Sequence, residues 1–241
     1  MKKSIAALVA AVILTSGVAH AVPTSFIAPN GATSPFEEWS LGAANSVHAQ
    51  WEVFTDAVGT PGNLPDVAGS YPASGSPSGG AAALVIGNTP SAFLTGGGNI
   101  YSFAAATSFT VTVPNYNLGA GWNTRFVAQI QNQGSPLDFS SVKLSYDGGN
   151  RLLPFDYTDE LVGSPVPENL FAWDLAGFNP ASFTLTFNAS ASSMSLDAIA
   201  VDTFTQQGAF SPMGVPEPAT GALAALGLIG TLAARRRLAR A

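Results

Sequence analysis

Residues able to do chemistry are few in this sequence. Cysteine is absent, and the two histidines are His20 and His48. Without thiols there is no disulfide, thiolate metal site or cysteine nucleophile. His20 falls in the leader described below, so a serine–histidine–aspartate triad would have to use His48. No nucleophile-elbow sequence accompanies it, and it sits in a stretch of strand-like alternation. A surface or hydrogen-bonded imidazole is the plainer role. A histidine zinc site needs more imidazoles than the chain has. No glycine-rich loop carries the lysine that a nucleotide phosphate requires.

Carboxylates and tryptophans are the remaining resource. Asp156, Asp159 and Glu160 follow Phe155. Held about 5–10 Å apart, paired acids could hydrolyse a glycoside. With backbone carbonyls they could bind Ca²⁺, and left in a loop they are solvated acids. Nothing matches the spacing of an EF-hand. In Ser195-Leu196-Asp197-Ala198-Ile199-Ala200-Val201-Asp202 a two-residue period puts Asp197 on the face of Ile199 and Val201. A carboxylate there needs a partner or a cation, unless an edge position or a bulge turns it to solvent. Of four tryptophans, Trp173 shares a face with Phe171 and Leu175 and reads as core, whereas Trp39 and Trp51 lie in mixed sequence. Trp122, within Gly119-Ala120-Gly121-Trp122-Asn123-Thr124, is the exposed candidate for stacking on a sugar ring. The alternative is a ring folded back over the end of the domain.

The elements that would position these groups are strands. Phe109, Val111 and Val113 alternate with polar residues, as do Phe183, Leu185 and Phe187, and Phe126, Ala128 and Ile130 alternate with Arg125, Val127 and Gln129. Such alternation predicts strands with one buried face. Ser46–Phe54, Ala83–Ile86, Ile100–Ala104, Val142–Tyr146, Arg151–Phe155, Leu170–Leu175 and Met194–Val201 are further candidates. Trp51 and Phe54 would tie the first of these to the core. Asp147-Gly148-Gly149-Asn150 suits a hairpin loop with positive φ. No segment between residues 22 and 214 has a helical period. About eight to ten short strands predict one all-β domain, an antiparallel sandwich or jelly roll.

Charge is sparse and uneven. Of 241 residues only 10% are charged. Between residues 22 and 214 there are three basic residues (Arg125, Lys143, Arg151) and fourteen acids, a formal charge of −11. Such a body repels phosphate backbones, which excludes nucleic acid as a partner. No cofactor is expected; Ca²⁺ is the one cation left open. Without a convincing nucleophile, acid–base pair or cofactor motif, the body reads as non-enzymatic.

Both ends read as addresses. Residues 1–21 form a signal peptide: Lys2 and Lys3, an apolar run from Ile5 to Leu14, and Ala19-His20-Ala21 for cleavage. An uncleaved N-terminal anchor is the alternative. Residues 215–241 hold Val215-Pro216-Glu217-Pro218, a charge-free run from Ala219 to Ala234, and then Arg235, Arg236, Arg237 and Arg240. Sixteen helical residues span roughly 24 Å, marginal for a bilayer core. The arginines would fix the helix with its C-terminus inside and the body outside. A C-terminal helix packed on the domain is the alternative.

Pro-Glu-Pro, a short apolar helix and a terminal arginine cluster resemble the PEP-CTERM sorting signal of Gram-negative bacteria. The resemblance implies export through the Sec route and an inner-membrane-anchored intermediate held by the C-terminal helix. It implies an exosortase as partner, with Pro216, Glu217 and Pro218 as its recognition residues, followed by release or transfer to the surface. It also implies an exopolysaccharide-rich, biofilm-forming setting; the sugar-stacking reading of Trp122 adds polysaccharide as a further partner. Around Asp197 the body faintly resembles the last strand of jelly-roll carbohydrate-binding modules. That resemblance implies a structural Ca²⁺ between Asp197 and Glu37 or Glu38.

Overall fold

The computed structural model describes residues 26, 39, 42–59, 61–71, 83–147, 151–161 and 168–213. The signal-peptide and C-terminal helix expectations lie outside them, as do Glu37, Glu38, Pro216, Glu217, Pro218 and the four terminal arginines. Among the described residues no helix is long and apolar enough to cross a membrane.

The described chain is all-β, in two antiparallel sheets. The larger runs in the spatial order β10 (Tyr157–Leu161), β11 (Glu168–Leu175), β7 (Trp122–Gly134), β13 (Met194–Gln207), β1 (Ser46–Trp51) and β2 (Val67–Tyr71). Beside the start of β13 it adds β5 (Ile100–Tyr101) and then β4 (Phe93–Leu94). The smaller sheet runs β3 (Leu84–Gly87), β6 (Ser108–Pro114), β12 (Ser182–Ala189), β8 (Leu137–Tyr146) and β9 (Arg151–Leu153). Asp147, at φ 55°, opens the β8–β9 hairpin, where Tyr146 pairs with Arg151.

The sheets meet through their aromatic faces. In β6 and β12 every second residue is buried, and Phe109 stacks on its cross-strand partner Phe187 at 5.1 Å. Across the interior, Phe126 of β7 meets Phe183 of β12 edge-on at 5.2 Å and Trp173 of β11 at 5.6 Å. Each buried ring contributes roughly 1.5–3 kcal/mol. Trp51 is fully buried, and its indole N–H donates to the Asn63 carbonyl at 2.8 Å. Asn63 is buried too; its amide caps the 55–56 turn and reaches the Val85 carbonyl. The long loop after β1 is thereby fixed to the smaller sheet.

One expectation is corrected. The alternation in β7 predicts a single buried face, but Arg125, Val127, Gln129 and Gln131 on its other side are buried as well. The same holds along β13, where Ala198, Ala200 and Asp202 point away from the core and are buried. Over Val127 the cover is a second apolar layer on the outside of the larger sheet: Trp39 with Val127, Leu170 and Ala172, flanked by Ala43, Tyr157, Phe204 and Met213.

Candidate functional site

Two places in the fold bring together side chains beyond what packing needs. The first is on the outside of the larger sheet, where the chain leaves β13. Gly208, at φ +91°, takes a backbone conformation that favours glycine and lets the chain turn after Gln207. The next residues return over the sheet and are held there. Asn123 donates to the Gly208 carbonyl, and Gln206 Nε2 to the Ala209 carbonyl at 3.3 Å. Phe210 lies under the Arg125 guanidinium, 4.7 Å from ring centroid to Cζ, and edge-on to Phe204 at 6.3 Å. Trp39 in turn stacks on Phe204 at 5.1 Å.

Arg125 is the centre of this strap. Its side chain is buried, and Asp174, its direct cross-strand neighbour, grips it in a fork: Nε donates to Oδ1 at 2.6 Å and an Nη to Oδ2 at 2.7 Å. The same Nη donates to the Ser211 carbonyl at 2.7 Å. A planar guanidinium has five N–H donors, so one buried side chain can hold a carboxylate and a carbonyl together. Asp156, one of the three clustered acids, accepts from the Asp174 backbone N–H at 2.8 Å and so completes the fork's support. Asp159 and Glu160 are consecutive residues of β10; their side chains lie outside the described set.

On the same outer face His48 Nδ1 lies 2.9 Å from Asp202 Oδ1, opposite it in the β1–β13 register. Burial lowers the imidazole pKa, but the hydrogen bond and charge of Asp202, with a further bond from Gln50, outweigh it, so the net direction is upward. The pair braces two strands.

The second place is the open mouth of the sandwich where β7 passes into β8. Gly134, at φ +80°, comes so close to the β12–β13 turn that a Cβ there would lie 2.1 Å from the Ser193 carbonyl oxygen. This crossing opens a cleft of about 520 Å³. Asn132 and Asn169 line it, both nearly fully buried, and Asn169 donates to Asn132 at 3.3 Å. Asp138, Phe139 and Ser140 form its rim. Phe139 stands perpendicular to Phe171 at 5.4 Å and keeps 40% of its surface exposed.

Of the residues singled out from sequence, Asp156 supports the fork, whereas Trp122 and Asp197 do not line the cleft. Trp122 is half-buried at the start of β7, its carbonyl accepting from Asn179 at 3.3 Å. Twelve strand steps separate it from Gly134, about 40 Å from the cleft. Asp197 sits at a bulge where the β13–β7 register shifts between Leu196 and Ala198; it is half-buried and accepts from Asn99 Nδ2 at 2.6 Å. Among the described residues no three His, Asp or Glu side chains are placed to hold a metal ion. Arg125, Asn132, Phe139 and Asn169 went unmarked in the sequence. For Arg125 a signal existed: a lone arginine among alternating apolar residues, with an aspartate near the end of another strand.

The PEP-CTERM protein-sorting motif matches residues 214–237, so its match begins at the residue after Met213, which packs against the outer layer. The match covers about a tenth of the chain. The chain thus carries a sorting motif that implies export and exosortase-mediated sorting to the cell surface. No curated protein and no solved structure matches the chain, so the likeness to jelly-roll carbohydrate-binding modules gains no support from them.

Proposed function

We propose that this protein is a non-enzymatic interaction protein of an exopolysaccharide-rich surface. It is exported through the Sec route, held in the inner membrane by its C-terminal helix, and processed by exosortase beside the folded body. The observation that carries this is the abutment of motif and strap. From Met213 to Pro216 the chain can extend at most about 10 Å. Whatever reads Pro216, Glu217 and Pro218 therefore works close to the Arg125 strap. Holding Gly208–Met213 on the sheet presents the motif at a defined place instead of on a free tether, which lowers the entropy lost on recognition. The non-enzymatic role is supported by the chemistry of the body: its one imidazole is tied to Asp202, and its arginine most deeply buried serves the strap.

The body has one lysine, Lys143, and it is exposed on β8. A bulky amine reagent that cannot cross membranes should label Lys143 on intact exosortase-competent cells. Labelling only after lysis would contradict surface display.

A further inference from the structure

We propose that the cleft at the sandwich mouth is a saccharide site that takes a short stretch of a neutral polysaccharide. The inference deepens the role of the body as an interaction protein and rests on it. A volume of about 520 Å³ lies within the roughly 300–1,000 Å³ typical of small-ligand sites. The lining joins two kinds of surface. Phe139 offers a ring face held upright by Phe171, and such a face suits the C–H side of a sugar ring. Asn132 and Asn169 are 2% and 6% exposed, and each amide retains donor and acceptor capacity beyond the bond that joins them. Asn132 also donates to the Ser135 carbonyl at 3.2 Å, which fixes its plane. Asp138 is turned by its own Oδ1, which accepts from the Ser140 backbone N–H at 3.0 Å and hydroxyl at 2.7 Å.

The chemistry selects among ligands. An apolar ligand would leave the remaining donors and acceptors of the two amides unmatched, at a loss of affinity. A phosphate, sulfate or uronate would meet Asp138 and find no cation among the described lining residues. A neutral sugar offers hydroxyls that both donate and accept, beside a C–H face. Trp122, about 40 Å away along β7, takes no part.

The test uses the full-length chain in mild detergent, so its outcome does not depend on sorting. Neutral oligosaccharides of glucose, galactose, mannose and N-acetylhexosamines are screened beside a polyuronate, and hits are titrated calorimetrically. A neutral glycan should bind. Phe139→Leu, which keeps an apolar cover on Phe171, should weaken it about tenfold. Asp138→Asn should weaken it about fivefold, and Trp122→Ala should leave it unchanged. Melting temperatures establish that each variant is folded; should Phe139→Leu fail to fold, Asp138→Asn carries the test. The proposal is overturned if no neutral glycan binds, if only the polyuronate binds, or if Trp122→Ala abolishes binding while folded cleft variants retain it.

Discussion

Removing Asp174 should cost this protein more than removing Arg125, although the two form one ion pair. Asp174→Ala takes two acceptors, at 2.6 and 2.7 Å, from a guanidinium whose side chain is 1% exposed. The charge stays buried, with the Ser211 carbonyl and the Phe210 ring near it. Breaking a buried pair in this way costs about 3–5 kcal/mol. Asp174 is itself 29% exposed, so water can enter the space left by its carboxylate, and the lower end, about 3 kcal/mol, applies. Arg125→Met leaves a carboxylate that water already reaches and fills the guanidinium's site with an apolar chain of similar length. That change should cost about 1–2 kcal/mol, chiefly the bond to Ser211. Urea unfolding of the two variants and of the double variant gives the ordering and the coupling energy. Limited proteolysis adds a separate readout, since Arg125→Met should expose the Phe210 and Met213 peptide bonds to cleavage while the sheets stay resistant. An Asp174→Ala loss below about 1 kcal/mol, or below that of Arg125→Met, would refute the buried-charge reasoning.

His48 makes stability depend on pH. Its pKa is raised above 6.5 in the folded state, so the contribution of its pair with Asp202 is fully present below 6.5 and fades as pH rises through the folded value. The stability difference between wild type and His48→Gln should therefore shrink between about pH 5.5 and 8.5; a difference that is constant or grows contradicts the pairing. Tyr116 is buried in the core with a hydroxyl that has no partner among the described residues. Tyr116→Phe should raise the unfolding free energy by about 1 kcal/mol, and a loss of similar size would show a bond to that hydroxyl. Gly134→Ala should cost about 3 kcal/mol by forcing a Cβ onto the Ser193 carbonyl. Gly121→Ala, equally positive in φ but in open space, should cost about 1 kcal/mol, and equal costs would remove the close-approach argument.

The strands with strict alternation were legible because period-2 patterning and one-sided burial coincide in β6 and β12. β7 and β13 were only half legible. Arg125, Val127 and Gln129 fall opposite the buried face in the alternation, and nothing local announces that Trp39 and the 208–213 strap add a layer outside the sheet. β2 and β10 were missed because Val67–Tyr71 and Tyr157–Leu161 carry little apolar alternation; both are outermost in their sheet, where one-sided pairing suffices. β8 starts at Leu137 and not at Val142 because Asp138, Ser140 and Ser141 break the apolar pattern while their side chains bond locally. That early start creates the cleft rim. Its other wall joins Asn132, just before the turn into β8, to Asn169 of β11, which is distant in sequence. The C-terminal motif, by contrast, is wholly local: order, spacing and charge within one short segment suffice.

The measurement closest to the central claim is the intact mass of the protein's C-terminus, taken from cells with and without exosortase. In competent cells the chain should end near Pro216–Pro218, having lost its apolar run and arginines, while exosortase-null cells should yield a chain ending at Ala241. A terminus at Ala241 in both would contradict the account.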